Sequence, residues 1–210
     1  MERPEDDGTA LIVVRAVLFD LGGVILRTEH EAPRQHLAGR LGVEYDDLVR
    51  LVFESETSRK ASLGVISEED HWRSVTKNLK WDGDPFAFRD EFFSGDALDH
   101  DLLNFLRSLR GRALPGLISN AWSGLRQYIL EHNFEDAFDA MIISAEVGVV
   151  KPNPKIYHMA LDQLDVRPNE AVFVDDFIEN VKGAQAVGMS AIHFKDSGET
   201  LAQLKKLLKN

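Results

Sequence analysis

Ala16-Val17-Leu18-Phe19-Asp20-Leu21-Gly22-Gly23-Val24 is the stretch on which the fold turns. Its first part, 16–20, is a strand-like run of four apolar residues that ends abruptly on a carboxylate, and two adjacent glycines follow Leu21. A continuous apolar run without polar alternation predicts a β-strand covered on both faces, as in a parallel sheet. Four further runs of this kind lie downstream, at 113–119, 140–144, 171–175 and 190–194. Between and after them the apolar spacing is helical, over 99–110, 122–132, 154–164, 177–187 and 199–208. In the last of these, Leu201, Leu204, Leu207 and Leu208 recur at helical spacing. Strand–helix alternation predicts an α/β protein with an open sheet and right-handed crossovers.

The alternation fails between residues 29 and 95, where no strand-like run occurs. Helices are expected there at 31–41, 45–60, 67–79 and 84–93. Ser67 followed by Glu68, Glu69 and Asp70 predicts a capping box, and Gly42, Gly64 and Trp81-Asp82-Gly83-Asp84-Pro85 mark turns. The expected organisation is a Rossmann-like three-layer core with an open parallel sheet, residues 1–28 and 96–210, interrupted by an α-helical domain, residues 29–95. Trp72, Trp81, Phe86, Phe88, Phe92 and Phe93 read as packing residues of that insert. Arg59 and Lys60 suit a solvated helix face as well as an anionic ligand.

At 210 residues the chain can bury one sizeable core. A formal charge of −11 with no basic run argues against a nucleic-acid partner. With no cysteine, disulfides, thiolate nucleophiles and cysteine-held metals are excluded. The opening segment Met1–Gly8 carries Glu2, Glu5, Asp6 and Asp7, the wrong charge for a signal peptide. The apolar stretch 11–26 is broken by Arg15 and Asp20 and is too short to span a bilayer. The expected location is cytoplasmic, with a small molecule as partner and no membrane. The seven histidines form no ligand pattern, and nothing in the sequence speaks to oligomeric state.

Ligands of open parallel sheets bind at the carboxyl ends of the strands. Here those ends deliver Asp20, then Ser119-Asn120, then Lys151-Pro152 in the loop beyond the third strand, then Asp175-Asp176. Each has a bland reading: Asp20 as a turn cap, Ser119-Asn120 as a helix N-cap, Lys151 as a surface lysine. Asp175-Asp176 resists it, because one cap explains only one acid. Two adjacent carboxylates after an apolar strand repel and desolvate each other unless a cation or hydrogen bonds compensate. A hard divalent ion with oxygen ligands, Mg²⁺ foremost, would do so. Together these groups supply what phosphoryl transfer needs: an attacking carboxylate, a metal, and a hydroxyl, amides and an ammonium for the phosphate oxygens.

Phe19-Asp20-Leu21-Gly22-Gly23-Val24, Ser119-Asn120, Lys151-Pro152 and Asp175-Asp176 resemble, in order, the four motifs of the haloacid dehalogenase (HAD) superfamily, and the segment 149–157 is especially close. The likeness runs from Arg15 to Phe194, and the insert resembles that family's α-helical cap. The resemblance implies a magnesium-dependent phosphatase with Asp20 as nucleophile. It implies metal ligands from Asp20, the Gly22 carbonyl, Asp176 and Asp175. Ser119 and the Asn120 amide would hold the phosphate, and Lys151 would neutralise it. One departure stands out. The second Asp that most phosphatases of the superfamily carry two residues after the nucleophile, as general acid and base, is Gly22 here. General acid–base help is worth roughly 10²–10⁴-fold, so a slower enzyme or an easy leaving group, anomeric or aryl, is expected. The Asp-Leu-Gly arrangement is similar to that of bacterial sugar-1-phosphate phosphatases, so a sugar phosphate is the favoured substrate. Two alternatives remain open at this point: a non-catalytic phosphate-binding homologue that lost its acid/base, and a 2-haloacid dehalogenase. The resemblance disfavours the latter, because those enzymes lack the paired acids.

Overall fold

The computed structural model describes residues 13–209; the acidic segment Met1–Gly8 and the start of the apolar stretch 11–26 lie outside them. β1 (Ala16–Phe19) is buried along its whole length. Beyond Asp20 the chain winds one tight turn, the amides of Val24, Ile25 and Leu26 reaching the Leu21 carbonyl at 3.2, 2.8 and 2.8 Å. Gly23 sits there at φ +77°, where a residue with a Cβ is strained by about 1–2 kcal/mol. β2 (Leu26–Thr28) then leads into five helices: α1 (Ala32–Leu41), α2 (Tyr45–Phe53), α3 (Glu56–Ser62), α4 (Glu68–Asn78) and α5 (Pro85–Phe93). β3 (Asp96–Leu98) returns antiparallel to β2. The core resumes with α6 (His100–Ser108), β4 (Leu114–Ser119), α7 (Leu125–Glu131), β5 (Ala140–Ile143), α8 (Ser144–Val147), α9 (Pro154–Leu164), β6 (Ala171–Asp175), α10 (Ile178–Ala186), β7 (Ser190–His193) and α11 (Ser197–Leu207).

The five core strands form one parallel sheet in the order β5-β4-β1-β6-β7. Alternate residues of each strand enter opposite layers. Val17, Phe19, Leu117, Val172 and Val174 join Leu102, Leu106, Ile129 and Leu204 from α6, α7 and α11 on one face. Ala16, Leu18, Ile118, Ala171 and Phe173 join Ile156, Leu161 and Ala184 from α9 and α10 on the other. Both faces are covered, which is why the strand sequences carry no polar alternation. With β1 central and β4 and β6 at its sides, the ends bearing Asp20, Ser119 and Asp175 lie next to one another.

The insert has its own apolar centre of Leu37, Leu48, Val52, Trp72, Val75, Phe88 and Phe92, with Trp81, Phe86 and Phe93 packed partly buried against it. The Ser67 capping box forms as expected, with Asp70 as its acid. Several boundaries differ from the sequence expectation. The helix expected over 45–60 is two, because Ser55 adopts extended backbone and its hydroxyl accepts from the Ser58 amide, capping a new helix. The helix expected over 122–132 begins only at Leu125, because Trp122 is drawn toward the insert. β2 and β3, three residues each, carry too little periodicity to be read locally. They are tied by Arg34, whose guanidinium holds Asp96 at 2.7 and 3.0 Å while Thr28 donates to the same carboxylate at 2.8 Å.

Candidate active site

The rim of the sheet gathers three carboxylates around one ammonium. Lys151 is buried, with Nζ 2.9 Å from Asp20 Oδ2 and 2.6 Å from Asp175 Oδ2. Asp175 is saturated: Oδ1 accepts from the Phe177 amide at 2.8 Å, and Asn180 Nδ2 donates to Oδ1 and Oδ2 at 3.0 and 3.1 Å. Asn180 is itself held by Tyr157, whose hydroxyl donates to the Asn180 carbonyl at 2.8 Å. Asp20 Oδ1 accepts from the Leu21 amide at 2.7 Å. Burial pushes the Asp20 carboxyl up to about 6, with the Asp175 charge adding to the rise and Lys151 opposing it. The Asp176 carboxyl is also raised, first by burial and then by its neighbour Asp175.

The residues that end β4 differ in how they are held. Ser119 closes β4, buried, and no hydrogen bond to another described residue holds its hydroxyl. Asn120 caps no helix. Its carboxamide bridges to the Lys151 backbone in both directions, donating to the carbonyl at 3.0 Å and accepting from the amide at 2.7 Å. Ala121 is tied to Ser144 in the same way, at 3.0 and 3.2 Å. Two strand-end loops 31 residues apart thus become one rigid ledge. Of the acid pair, one member does meet the following helix as its bland reading has it: Asp175 accepts from the Phe177 amide leading into α10.

Oxygens of Asp20, Asp175 and Asp176 lie within 4.8 Å of one another. Three carboxylates against one ammonium leave a formal charge of −2. Asp176 Oδ1 is buried with no hydrogen-bond partner among the described residues, an arrangement that costs several kcal/mol unless a cation completes it. A hard, all-oxygen donor set with that charge suits Mg²⁺. Gly23 is part of the cradle, since a Cβ there would collide with the Asp176 carboxylate. Gly22 is exposed, and a Cβ there would meet nothing within 4 Å.

Sequence reasoning singled out Asp20, Ser119, Asn120, Lys151, Asp175 and Asp176, and the sheet brings them to one rim. It missed Asn180, Tyr157 and Ser144. Asn180 and Tyr157 carry a usable signal, being the polar exceptions on the buried faces of α10 and α9. Ser144 carries none, because its partner Ala121 meets it only through the register of β4 on β5.

Residues 14–188 match the family of haloacid dehalogenase-like hydrolases. The chain is 29% identical over 197 residues to the sesquiterpene phosphatase astK of Aspergillus oryzae, a match covering 92% of this chain and 96% of that one. It is 28% identical to the glyceraldehyde 3-phosphate phosphatase of Methanopyrus kandleri over 87% of this chain and 84% of that one. A match to the bifunctional epoxide hydrolase 2 of Rattus norvegicus, 46% identical, takes in 93% of this chain and 39% of the rat protein, so the chain spans about two fifths of that relative. Among solved structures, a HAD-family enzyme of Bacteroides thetaiotaomicron, crystallised with magnesium and inorganic phosphate, superposes with a TM-score of 0.76 at 20% identity, over 90% of this chain and 98% of that one. At that identity the likeness speaks for the fold. No helix among the described residues is long and apolar enough to cross a membrane.

Proposed function

The chain belongs to the haloacid dehalogenase-like hydrolases and is a phosphatase of that family, and we propose that it hydrolyses the phosphate monoester of a small metabolite through an aspartyl-phosphate on Asp20, with Mg²⁺ bound at the acid cluster. The observation that carries this reading is the unbalanced rim: a carboxylate beside a buried lysine, and a second carboxylate whose inner oxygen lacks a partner among the described residues.

In this mechanism Asp20 Oδ attacks phosphorus, the bond from phosphorus to the ester oxygen breaks, and the leaving oxygen takes up a proton. Water then attacks the phosphorus of the aspartyl-phosphate, releasing inorganic phosphate and the free Asp20 carboxylate. Lys151 stays between Asp20 and the phosphate oxygens, and Ser119 offers a hydroxyl with no competing partner among the described residues. Asp20, Asp176 and the Gly22 carbonyl are the groups that would hold Mg²⁺, whose positive charge would screen the nucleophile from the phosphate it approaches. Asp175 was expected among these ligands, but its engagement by Lys151, Asn180 and the Phe177 amide favours a different role, aiming Lys151 at Asp20. Gly22 offers no proton to the leaving group, which favours substrates whose leaving oxygen is weakly basic. Residues 29–95 serve as the cap over a core of residues 1–28 and 96–210, and the location is cytoplasmic.

For the substrate, the sequence favours sugar phosphates, and the Methanopyrus relative is named for a phosphorylated triose. The Aspergillus relative is named for a sesquiterpene, which makes an apolar leaving group the second class. The test is hydrolysis of p-nitrophenyl phosphate by the purified protein. Turnover with Mg²⁺ that stops in excess EDTA is expected. Turnover undiminished by EDTA would remove the metal, halide release from a 2-haloacid would replace the reaction, and phosphate binding without turnover would leave a binding protein.

A further inference from the structure

The ledge that carries Ser119 and Asn120 ends in a tryptophan that leaves the core and enters the insert. Trp122 stacks on Phe53 of α2, centroids 6.2 Å apart and rings 19° from parallel. It lies 4.5 Å from His71 and stands edge-on to Trp72 at 5.4 Å. Its backbone is fixed on both sides. Asn120 and Ala121 are bonded to Lys151 and Ser144, and the Ser123 hydroxyl accepts from the Glu68 amide at 3.2 Å. The distance from the phosphate-holding ledge to this ring is therefore two residues of immobilised chain.

The rings of this cluster divide sharply. Trp72, Phe88 and Phe92 are fully buried, whereas Phe53 is 43% exposed although it touches Trp122, Phe92 and Phe93. Trp122 is only partly buried, and its indole N–H has no hydrogen-bond partner among the described residues and is not sealed from solvent. An open aromatic pair, one member two residues beyond Asn120 and one from the insert, is an apolar surface reached directly along the chain from the residues assigned to the phosphate. Carbon-rich groups gain about 25 cal/mol per Å² of apolar surface they cover there, and flat rings gain further by stacking.

We propose that Phe53 and Trp122 are specificity-determining residues, forming the wall on which the substrate's leaving group rests and selecting aryl or hydrocarbon groups over polyhydroxylated ones. The inference rests on the phosphatase reading and narrows it to the carbon-rich of the two substrate classes.

The experiment compares 1-naphthyl phosphate with glucose 1-phosphate in the full chain with Mg²⁺, using product inhibition by inorganic phosphate to report on the phosphate end alone. The wild type should show the lower KM for the naphthyl ester. Phe53→Ser, at a half-open position, should raise that KM roughly 5–10-fold, with kcat, the glucose 1-phosphate KM and the phosphate inhibition constant each within about twofold. Trp122→Ala should do the same, and Trp122→Phe should restore part of the loss. An unchanged substrate ratio in Phe53→Ser, or a rise in all three constants together, would overturn the inference and leave the phosphatase intact. No turnover of any phosphate monoester by the wild type would overturn both.

Discussion

The rim of the sheet and the interior of the insert are both buried, yet they are held in opposite ways. At the rim Lys151, Asp20, Asp175 and Asn180 are locked by directional bonds of 2.6–3.1 Å, around a charge that the protein alone does not balance. In the insert, Trp72, Phe88 and Phe92 meet at ring distances near 6.2 Å with no polar bond between them. The one imidazole there, His71, is fully buried, accepts or donates at Nδ1 to Thr57 at 2.9 Å, and leaves Nε2 unpartnered among the described residues. The difference teaches where chemistry and shape reside. Removing the ammonium from the rim leaves buried carboxylates uncompensated, whereas removing a ring from the insert opens a void.

The largest effect should come from Asp20→Asn, which keeps the shape and removes the nucleophile; turnover should fall by roughly 10⁴–10⁶-fold with the melting temperature little changed. Residual activity near wild type would deny Asp20 its role. Lys151→Met should destabilise the fold by about 3–5 kcal/mol, because two carboxylates are left buried without their shared ammonium. Denaturant unfolding reads this, and added Mg²⁺ should recover part of it.

The insert offers the counterpart through pH. Burial holds the His71 imidazole down to about 4 from its ordinary 6.5. The unfolded chain therefore takes up a proton that the folded chain refuses. Stability is complete above pH 6.5 and is lost as pH falls from there toward 4, by up to about 3 kcal/mol. His71→Gln should flatten that dependence, and an equally steep acid limb in the variant would assign it elsewhere. The smallest effect is expected from Gly23→Ala, which pushes a methyl group at the Asp176 carboxylate. Mg²⁺ affinity should weaken about 10–100-fold, measured by titrating activity against the metal.

Much of this was legible in the residues. The strand 171–175 has the bounds its apolar run implies, and 16–19, 114–119, 140–143 and 190–193 each differ from theirs by one residue at an end. Helix α9, opened by Asn153-Pro154, likewise matches. Ser67 with Asp70 announced the start of α4. The break at Ser55 was hidden because residues 54–62 hold no glycine or proline to mark a turn, and only the cap geometry interrupts the run. Asn120 looked like a cap because its side chain suits one, and its true partner is in another loop.

What the sequence by itself determined is the set of parts: buried strands ending in chemistry-bearing residues, a helical insert after the first strand, and an acid pair in need of a cation. These are local properties, since backbone hydrogen bonding and two-sided burial impose their pattern on consecutive residues. Only the tertiary structure decided that β1 lies between β4 and β6, that Asp175 holds Lys151 against Asp20, and that Trp122 leaves the core to stack on Phe53. Those pairings join residues tens to more than a hundred positions apart, and what sets them is the fit of whole elements against one another, which no local periodicity encodes.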